Sequence, residues 1–291
     1  MSYVVSLIAA PGALEPAQVR TVRDAFGGGD ALWLSGGEAA EFPVPERPAM
    51  LGHVAAEMRM LGIDVNCVPA EGRRKRLLLA DMDSTVIGQE CIDELADLAG
   101  VGAEVAAITD RAMAGEIDFD GALEARVALL EGLPEAAVGR VIAERLTLTP
   151  GGGALVATMR AAGARCVLVS GGFTAFTGWV AARVGFDAHR ANVLEVAGGA
   201  LTGRARRPYL GRAAKVAALE EECAALGIGA GDALAVGDGA NDAGMVAAAG
   251  LGVALHARAA LREVADAVVE HGDLSALLWL QGYRAEEVVR P

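Results

Sequence analysis

Pairs of acidic residues follow two apolar, strand-like runs in this 291-residue sequence. Asp81 and Asp83 come directly after the run LLLA, and Asp238 and Asp242 follow the run ALAVG. Residues at positions i and i+2 of an extended segment point their side chains the same way, so the first two carboxylates lie side by side. Such anions repel each other and attract a cation or share a proton. Because carboxylate oxygens suit a hard cation, the pattern predicts a Mg²⁺ site.

A purely structural role is the alternative for these carboxylates. Asp and Ser commonly cap the helix that follows a strand. One Asp would be enough for such a cap in the run DMDST, but this run carries two carboxylates and Thr85. Asp238 and Asp242 are four residues apart, so a helix beginning there would carry both on one face. We therefore favour a functional interpretation of all four carboxylates.

Two further features suit a phosphate group. Ser170 ends the apolar run CVLVS and is followed by Gly171 and Gly172, and a glycine turn before a helix presents backbone N–H groups to an anion. Lys215 is one of only two lysines in the chain and lies on a predicted helix, either as a solvated charge or as a partner for phosphoryl oxygens. With the carboxylates, these residues supply what phosphoryl transfer needs.

Short apolar runs that alternate with helical stretches must position these residues. The runs are LLLAD (77–81), CVLVS (166–170), ALAVGD (233–238), LGVAL (251–255) and AVVE (267–270). Such runs between helices predict a parallel sheet covered on both faces, whose ligands bind at the carboxyl ends of the strands. A helical insert at 91–149 separates the first two strands, and 192–204 is typical of a β-hairpin around two glycines.

The first part of the chain has a different pattern. Strand-like and helical segments follow one another in the order βαββαβ, which is the ferredoxin-like arrangement. We interpret the basic stretch at 69–76 as a solvated linker. The predicted domains are therefore an N-terminal domain at 1–72, an α/β core at 77–90 and 150–291, and a helical domain at 91–149.

Charge and cysteine content exclude several classes of protein. The net charge of −13 argues against a nucleic-acid-binding protein, because such proteins need a basic surface. The four cysteines and four histidines show no zinc-ligand spacing, and scattered cysteines fit a reducing compartment. No uncharged apolar stretch is long and continuous enough to predict a membrane span. We expect a cytoplasmic protein with no nucleic-acid or membrane partner.

The order of the motifs resembles that of the haloacid dehalogenase superfamily. The matching segments are DMDST, SGGF, Lys215 and GDGAND. The longer runs DMDSTVIGQECIDELA and VGDGANDAGM are similar to the members that hydrolyse phosphoserine. The resemblance implies a Rossmann-like core with a helical cap at 91–149. It also implies Mg²⁺-dependent hydrolysis of O-phosphoserine to serine and phosphate, the last step of serine biosynthesis, through an aspartyl-phosphate.

The resemblance further implies a role for each matching residue. Asp81 would be the nucleophile, and Asp83 would protonate the leaving serine oxygen and then activate water. The carboxylates of Asp81 and Asp238 and the backbone carbonyl of Asp83 would hold Mg²⁺, with Asp242 supporting through water. The phosphoryl oxygens would be bound by Ser170, Gly171, Lys215 and Asn241.

Substrate recognition maps, by the same resemblance, onto the cap and its junction with the core. Glu90 would face the substrate ammonium, and Arg126 would pair with the carboxylate, which suits a guanidinium. Met113 and Phe119 would shield the pocket from water. Without the resemblance, these four residues would be interpreted as exposed helix charges and cap core.

Residues 1–72 resemble the small-molecule-binding ACT module that some members carry. Because Ala9 and Ala10 stand where such modules often have a polar pair, a role in assembly or stability is an equal alternative to amino-acid binding. We expect a homodimer through this module, and chemistry that does not need it.

The sequence is compatible with two other functions. One is a phosphatase for another small phosphate monoester, for which Glu90 and Arg126 would be unnecessary. The other is a non-catalytic sensor that accepts a phosphoryl group. Asp83 argues against the sensor, because a switch gains nothing from a proton shuttle that speeds hydrolysis.

Overall fold

The structure is a computed structural model that describes residues 2–113 and 115–290. Its N-terminal part forms a small antiparallel sheet with two helices. The strands pair in the order β2-β3-β1-β4, so the predicted βαββαβ pattern is confirmed. The resemblance to an ACT module stays a prediction. The elements are β1 (Tyr3–Ala9), α1 (Pro16–Ala25), β2 (Leu32–Ser35), β3 (Ala39–Val44), α2 (Leu51–Arg59) and β4 (Ile63–Pro69).

The predicted insert is helical in the structure. Its helices are α3 (Cys91–Ala99), α4 (Gly102–Met113), α5 (Phe119–Ala128) and α6 (Ala136–Glu144). Helix α3 carries its buried residues at helical spacing, among them Ile92, Leu95 and Ala96, and ends at Gly100 in the left-handed conformation. The division of the chain into three domains at the predicted boundaries stays a prediction.

A seven-stranded sheet forms the core of the molecule. The strands are β5 (Leu77–Ala80), β6 (Arg165–Phe173), β7 (Ala188–Ala197), β8 (Ala200–Arg206), β9 (Ala233–Gly237), β10 (Leu251–Leu255) and β11 (Ala267–Val269). They pair in the order β11-β10-β9-β5-β6-β7-β8, all parallel except the β7–β8 hairpin. The remaining helices are α7 (Gly152–Ala161), α8 (Thr174–Val184), α9 (Arg212–Leu226), α10 (Ala243–Ala248), α11 (Ala259–Arg262) and α12 (Ala276–Leu280).

Burial on both faces of this sheet explains its uninterrupted apolar runs. In β5, Leu77 and Leu79 pack into one hydrophobic cluster, whereas Leu78 and Ala80 pack into another on the opposite face. Alternate residues of a strand point to opposite faces, so all positions of a strand covered on both sides are apolar. The predicted α/β fold with a parallel core sheet is therefore confirmed.

Two local predictions at the ends of the strands are wrong. Ser170, Gly171 and Gly172 lie within β6 rather than in a turn, because this strand continues with an irregular register to Phe173. Asp238 and Asp242 do not share a helix face, since Asp242 ends a 3-10 turn and Asp238 precedes that turn.

The basic stretch before β5 is largely exposed, as the sequence suggested, but three of its side chains make specific contacts. Arg73 forms an ion pair with Glu41 of β3 at 2.6 Å, and Arg74 pairs with Glu287 near the C-terminus at 2.8 Å. Lys75 is buried and donates to a backbone carbonyl of the core at 2.8 Å. The stretch therefore joins the N-terminal sheet to the core.

Among the residues that the structure describes, no helix has the length and apolar character needed to cross a membrane.

Candidate active site

The carboxyl ends of the central strands carry a cluster of charges, most of which are buried. Asp81 follows β5, Asp238 follows β9, and both strands are neighbours in the sheet. Lys215 of α9 is completely buried, and its Nζ lies 2.8 Å from Asp81 Oδ1 and 2.6 Å from Asp242 Oδ1. Two carboxylates around one ammonium leave a net negative charge, which a cation can neutralise.

Three of these carboxylates fit a single metal ion. Asp81, Asp238 and Asp242 each offer an oxygen, and the three oxygens lie within 4.8 Å of one another. Thr85 supports the set by donating from Oγ1 to Asp238 Oδ1 at 3.4 Å. An all-oxygen set of this kind suits a hard divalent cation rather than a thiolate-loving metal.

Burial and mutual repulsion perturb the pKa values of the cluster. Burial, and then the Asp242 carboxylate, raise the pKa of Asp81 well above its usual range, while Lys215 opposes that shift. The same two causes raise the pKa of Asp238 to about 6. Although burial opposes it, Asp81 and Asp242 hold the pKa of Lys215 above its usual value. Carboxylates that are this costly to ionise are ready to receive a dication.

Asp83 lies in a separate environment beside this cluster. Its Oδ1 accepts the backbone N–H of Cys91 at 2.9 Å, and its Oδ2 accepts the hydroxyl of Ser170 at 3.1 Å. Burial raises the pKa of Asp83, and these hydrogen bonds only partly offset the rise. A carboxyl group with a raised pKa and a fixed orientation can donate and then accept a proton.

The segment 170–172 is held by Asn192, a residue that the sequence analysis did not identify. The buried side chain of Asn192 donates to the carbonyl of Gly171 at 2.8 Å and accepts from Leu210 N at 2.7 Å. The Ser170 hydroxyl in turn accepts the N–H of Gly172 at 2.8 Å. These contacts fix the end of β6 in an extended form beside Asp83.

One cavity of about 740 Å³ between the cap and the core collects most of the predicted site. Lys215 and Asp242 lie behind Asp81 and are fully buried. The predicted residues that line the cavity are Asp81, Asp83, Glu90, Met113, Phe119, Arg126, Ser170, Gly171, Asp238 and Asn241.

The cap side of the cavity carries both signs of charge. Burial lowers the pKa of Arg126, but the nearby carboxylates of Asp93 and Glu90 oppose the shift, so the guanidinium stays charged. Enclosure by the cavity walls, and then the Asp83 carboxylate, raise the pKa of Glu90 to about 7. The Ser84 hydroxyl donates to Glu90 Oε1 at 2.7 Å and orients it.

The two hydrophobic residues predicted to cover the site occupy different surroundings. Phe119 begins α5, and its ring approaches the backbone of Gly171 and Gly211, where a Cβ on Gly211 would lie 2.8 Å from the ring. Met113 also lines the cavity but is 61% exposed. Its role in excluding water stays a prediction.

Sequence reasoning missed three charged residues that line the same cavity, namely Asp93, Arg212 and Arg258. Arg258 follows the carboxyl end of β10, so the rule that selected the other strand ends would have found it. Asp93 lies three residues after Glu90 on the first turn of α3. No comparable pattern marks Arg212, because it begins α9 and does not follow the carboxyl end of a parallel strand.

The sequence profile of the haloacid dehalogenase-like hydrolases matches residues 78–247, which is more than half of the chain. The chain belongs to this family. The hydrolase is 50% identical over 210 residues to the phosphoserine phosphatase of Albidiferax ferrireducens, a match that covers 70% of this chain and 89% of that protein.

Solved structures of the same family cover the hydrolase to different extents. A haloacid dehalogenase-family hydrolase from Salmonella enterica serovar Typhi superposes with a TM-score of 0.87 and 27% identity, covering 96% of this chain and 98% of that one. A phosphoserine phosphatase solved as an analogue of its phospho-aspartyl intermediate gives a TM-score of 0.66 and 40% identity, covering 70% of this chain and 98% of that one. The match to the Salmonella enterica hydrolase includes the N-terminal sheet.

Proposed function

We propose that the hydrolase cleaves O-phosphoserine to serine and phosphate through a phosphorylated Asp81. The observation that carries this proposal is the shared cavity, which is lined by Asp81, Glu90 and Arg126, with Lys215 buried behind Asp81. A phosphate monoester of an α-amino acid has groups that complement the site at Asp81 and also the charges of Glu90 and Arg126. The names of the Albidiferax ferrireducens relative and of the phospho-aspartyl analogue support the same substrate.

Asp81 and Asp83 can supply the nucleophile and the acid for this reaction. An Asp81 oxygen attacks phosphorus, and the bond between phosphorus and the serine oxygen breaks while Asp83 donates its proton to that oxygen. Water then attacks the aspartyl-phosphate and gives a proton to Asp83, which releases phosphate and restores both carboxyl groups. Lys215, Ser170 and the backbone near Gly171 orient the phosphoryl oxygens during both steps.

We propose Mg²⁺ as the cation for the three-aspartate set, with the backbone carbonyl of Asp83 as a further ligand. When bound, it supplies positive charge that favours the ionised Asp81 and stabilises charge on the phosphoryl group. Asp81, Asp238 and Asp242 offer only oxygen, and Mg²⁺ prefers oxygen ligands.

The direct test is phosphate release from O-phosphoserine and from a panel of small phosphate monoesters, with and without Mg²⁺. We expect turnover only with the cation and the highest kcat/KM for phosphoserine. Equal kcat/KM for esters without the amino-acid part would support the alternative phosphatase. Stable phosphorylation of the protein without turnover would support the sensor.

Replacing Asp238 by Asn should raise the Mg²⁺ concentration for half-maximal activity about 10- to 100-fold, because one anionic ligand is lost. Asp93→Asn is the matched control, since Asp93 lines the same cavity but lies outside the three-aspartate set. Titration of activity with Mg²⁺ after chelation measures both variants. Equal shifts in the two variants would contradict the assigned site.

Replacing Arg126 by Ala should raise KM for phosphoserine about 100-fold, because the substrate carboxylate loses its charged partner. The KM for phosphoethanolamine, which lacks that carboxylate, should change less than about threefold. Steady-state kinetics with both esters give the comparison. An equal rise for both substrates would show that Arg126 shapes the cap instead of binding the carboxylate.

Glu90 predicts a pH dependence of binding. With a pKa of about 7, Glu90 loses its charge as the pH falls, and a neutral carboxyl group attracts the substrate ammonium less. The kcat/KM for phosphoserine should therefore fall as the pH drops below about 7. Glu90→Gln should lack this fall but keep the titration of the substrate phosphate, so identical profiles for both enzymes would contradict the assignment.

We also propose a cytoplasmic location and a homodimer. The four cysteines Cys67, Cys91, Cys166 and Cys223 are buried free thiols, which a reducing compartment preserves. Light scattering of the purified protein tests the dimer.

A further inference from the structure

The N-terminal sheet covers the open edge of the core sheet. Strand β11 is the last strand on that side, and β4 lies next to it. The side chain of Asn66 on β4 donates to the carbonyl of Val268 at 2.9 Å and accepts its N–H at 2.8 Å. An amide side chain thus satisfies an edge strand whose backbone groups would otherwise need water.

Asp64, two residues earlier on β4, holds the turn that follows β11. Its Oδ2 accepts the backbone N–H groups of Glu270, His271 and Gly272 at 3.0, 2.9 and 3.1 Å. Asp64 is only 3% exposed, so these charge-assisted bonds are shielded from solvent. The position of this turn therefore depends on a residue of the N-terminal sheet.

The turn 270–272 also fixes His256, which follows β10. His256 Nε2 donates to the carbonyl of Gly272 at 2.9 Å, and its backbone N–H donates to Val269 at 2.8 Å. His256 has a φ of +46°, in the left-handed region that non-glycine residues rarely adopt. Such a conformation persists only where surrounding contacts hold it.

A second connection reaches the next residue of the same loop. The carboxylate of Glu270 lies between Arg59 of α2 and Arg262 of α11 and forms an ion pair with each. Arg262 Nε also donates to the carbonyl of Ala257 at 2.6 Å. Arg59, like Asp64, belongs to the N-terminal part of the chain.

The third residue of the loop belongs to the active site. The backbone N–H of Arg258 donates to the carbonyl of Asp238 at 3.0 Å. Its guanidinium lines the cavity and lies 2.9 Å from Met113 Sδ on the cap. Movement of the loop would therefore displace a proposed metal ligand and a contact between core and cap.

We propose that Asp64 is a positioning residue for the active site, acting through the turn 270–272 and His256 on Arg258 and Asp238. The kinetic part of this inference rests on the proposed function, because it uses phosphoserine turnover as a readout. Without the Asp64 carboxylate, three backbone N–H groups lose their acceptor and the turn no longer fixes the imidazole.

Amide hydrogen exchange tests the inference without any activity. In Asp64→Ala, we expect exchange of the backbone amides at 256–258 to become about tenfold faster. Asn66→Ala is the matched control, since it loosens the same strand contact at β11 but leaves the turn 270–272 bound, and it should leave these amides unchanged. Equal acceleration in both variants, or none in Asp64→Ala, would overturn the proposal.

Steady-state kinetics then test whether Asp64 and His256 act through the same set of contacts. Asp64→Ala and His256→Asn should each raise KM for phosphoserine about fivefold, and the double variant should raise it no further, because both remove the same support. Asn keeps the left-handed backbone accessible but is too short to replace the imidazole. A 25-fold rise in the double variant would mean independent effects and would refute the connection.

Failure of the proposed function and failure of the positioning role can be distinguished. If the wild-type enzyme does not hydrolyse phosphoserine, the proposed function fails, whereas hydrogen exchange still decides the positioning role. If Asp64→Ala does not fold, His256→Asn carries the exchange experiment, because it leaves the contact between the sheets intact. Unchanged exchange at Arg258 in His256→Asn would overturn the proposal.

Discussion

Replacing Asp81 by Asn is expected to lower kcat for phosphoserine by at least about 10⁴-fold, because an amide oxygen is a poor nucleophile for phosphorus. The fold should survive. Lys215 keeps its ion pair with Asp242 at 2.6 Å, and an amide at position 81 removes a carboxylate whose ionisation burial already disfavours. We expect a thermal unfolding midpoint at or above that of the wild-type enzyme.

Two measurements check this result. Phosphate release gives kcat, and rapid quenching with ³²P-labelled substrate detects the phosphorylated protein. The label should appear on wild-type enzyme and be absent from Asp81→Asn. A variant that keeps a few per cent of wild-type turnover, or that still becomes labelled, would exclude Asp81 as the nucleophile.

Replacing Lys215 by Met should destabilise the protein by about 3–5 kcal/mol, because loss of the ammonium leaves two buried carboxylates facing each other without a cation. Lys215 is completely buried, and both carboxylates lie within 2.8 Å of its Nζ. Activity should fall about 10³-fold, since the phosphoryl group loses a charged partner. Mg²⁺ should restore part of the stability, because it neutralises the same carboxylates.

The only other lysine provides the matched control. Lys75 is also buried, at 9% exposure, but its Nζ donates to the carbonyl of Gly231 and not to a carboxylate. Lys75→Met should cost about 1 kcal/mol and leave kcat unchanged. Urea unfolding with and without Mg²⁺ measures both variants, and equal losses of stability would contradict the importance of the Asp81–Lys215–Asp242 cluster.

The strands and the acidic strand ends were predictable because their causes are local. A strand covered on both faces has no polar position, so LLLA and ALAVG can be recognised without knowledge of their neighbours. Asp81 and Asp238 then stand out as charges at the ends of buried runs. Because parallel strands end at the same edge of a sheet, their proximity followed from the fold class.

The environment of Lys215 could not be predicted in the same way. Helical periodicity does not say which face of α9 meets the sheet, and a lysine is usually exposed. Only the packing of α9 against the strand ends places its ammonium between two carboxylates. The segment 170–172 is similar, because the pairing of Val169 and Phe173 with β7 on either side of it, and the bond from Asn192, keep it extended where glycine content alone suggested a turn.

The sequence by itself determined the βαββαβ order, the parallel core with its helical insert, and the acidic residues at the strand ends, because periodicity and composition are properties of neighbouring residues. The tertiary structure alone decided that Asp64 and Arg59 contact the turn beside the active site. The bonds from Asp64 to that turn join residues more than 200 positions apart, and no local pattern encodes such a contact. The sequence predicted that catalysis does not need the first 72 residues. The hydrogen bonds of Asp64 predict instead that these residues help to position the active site.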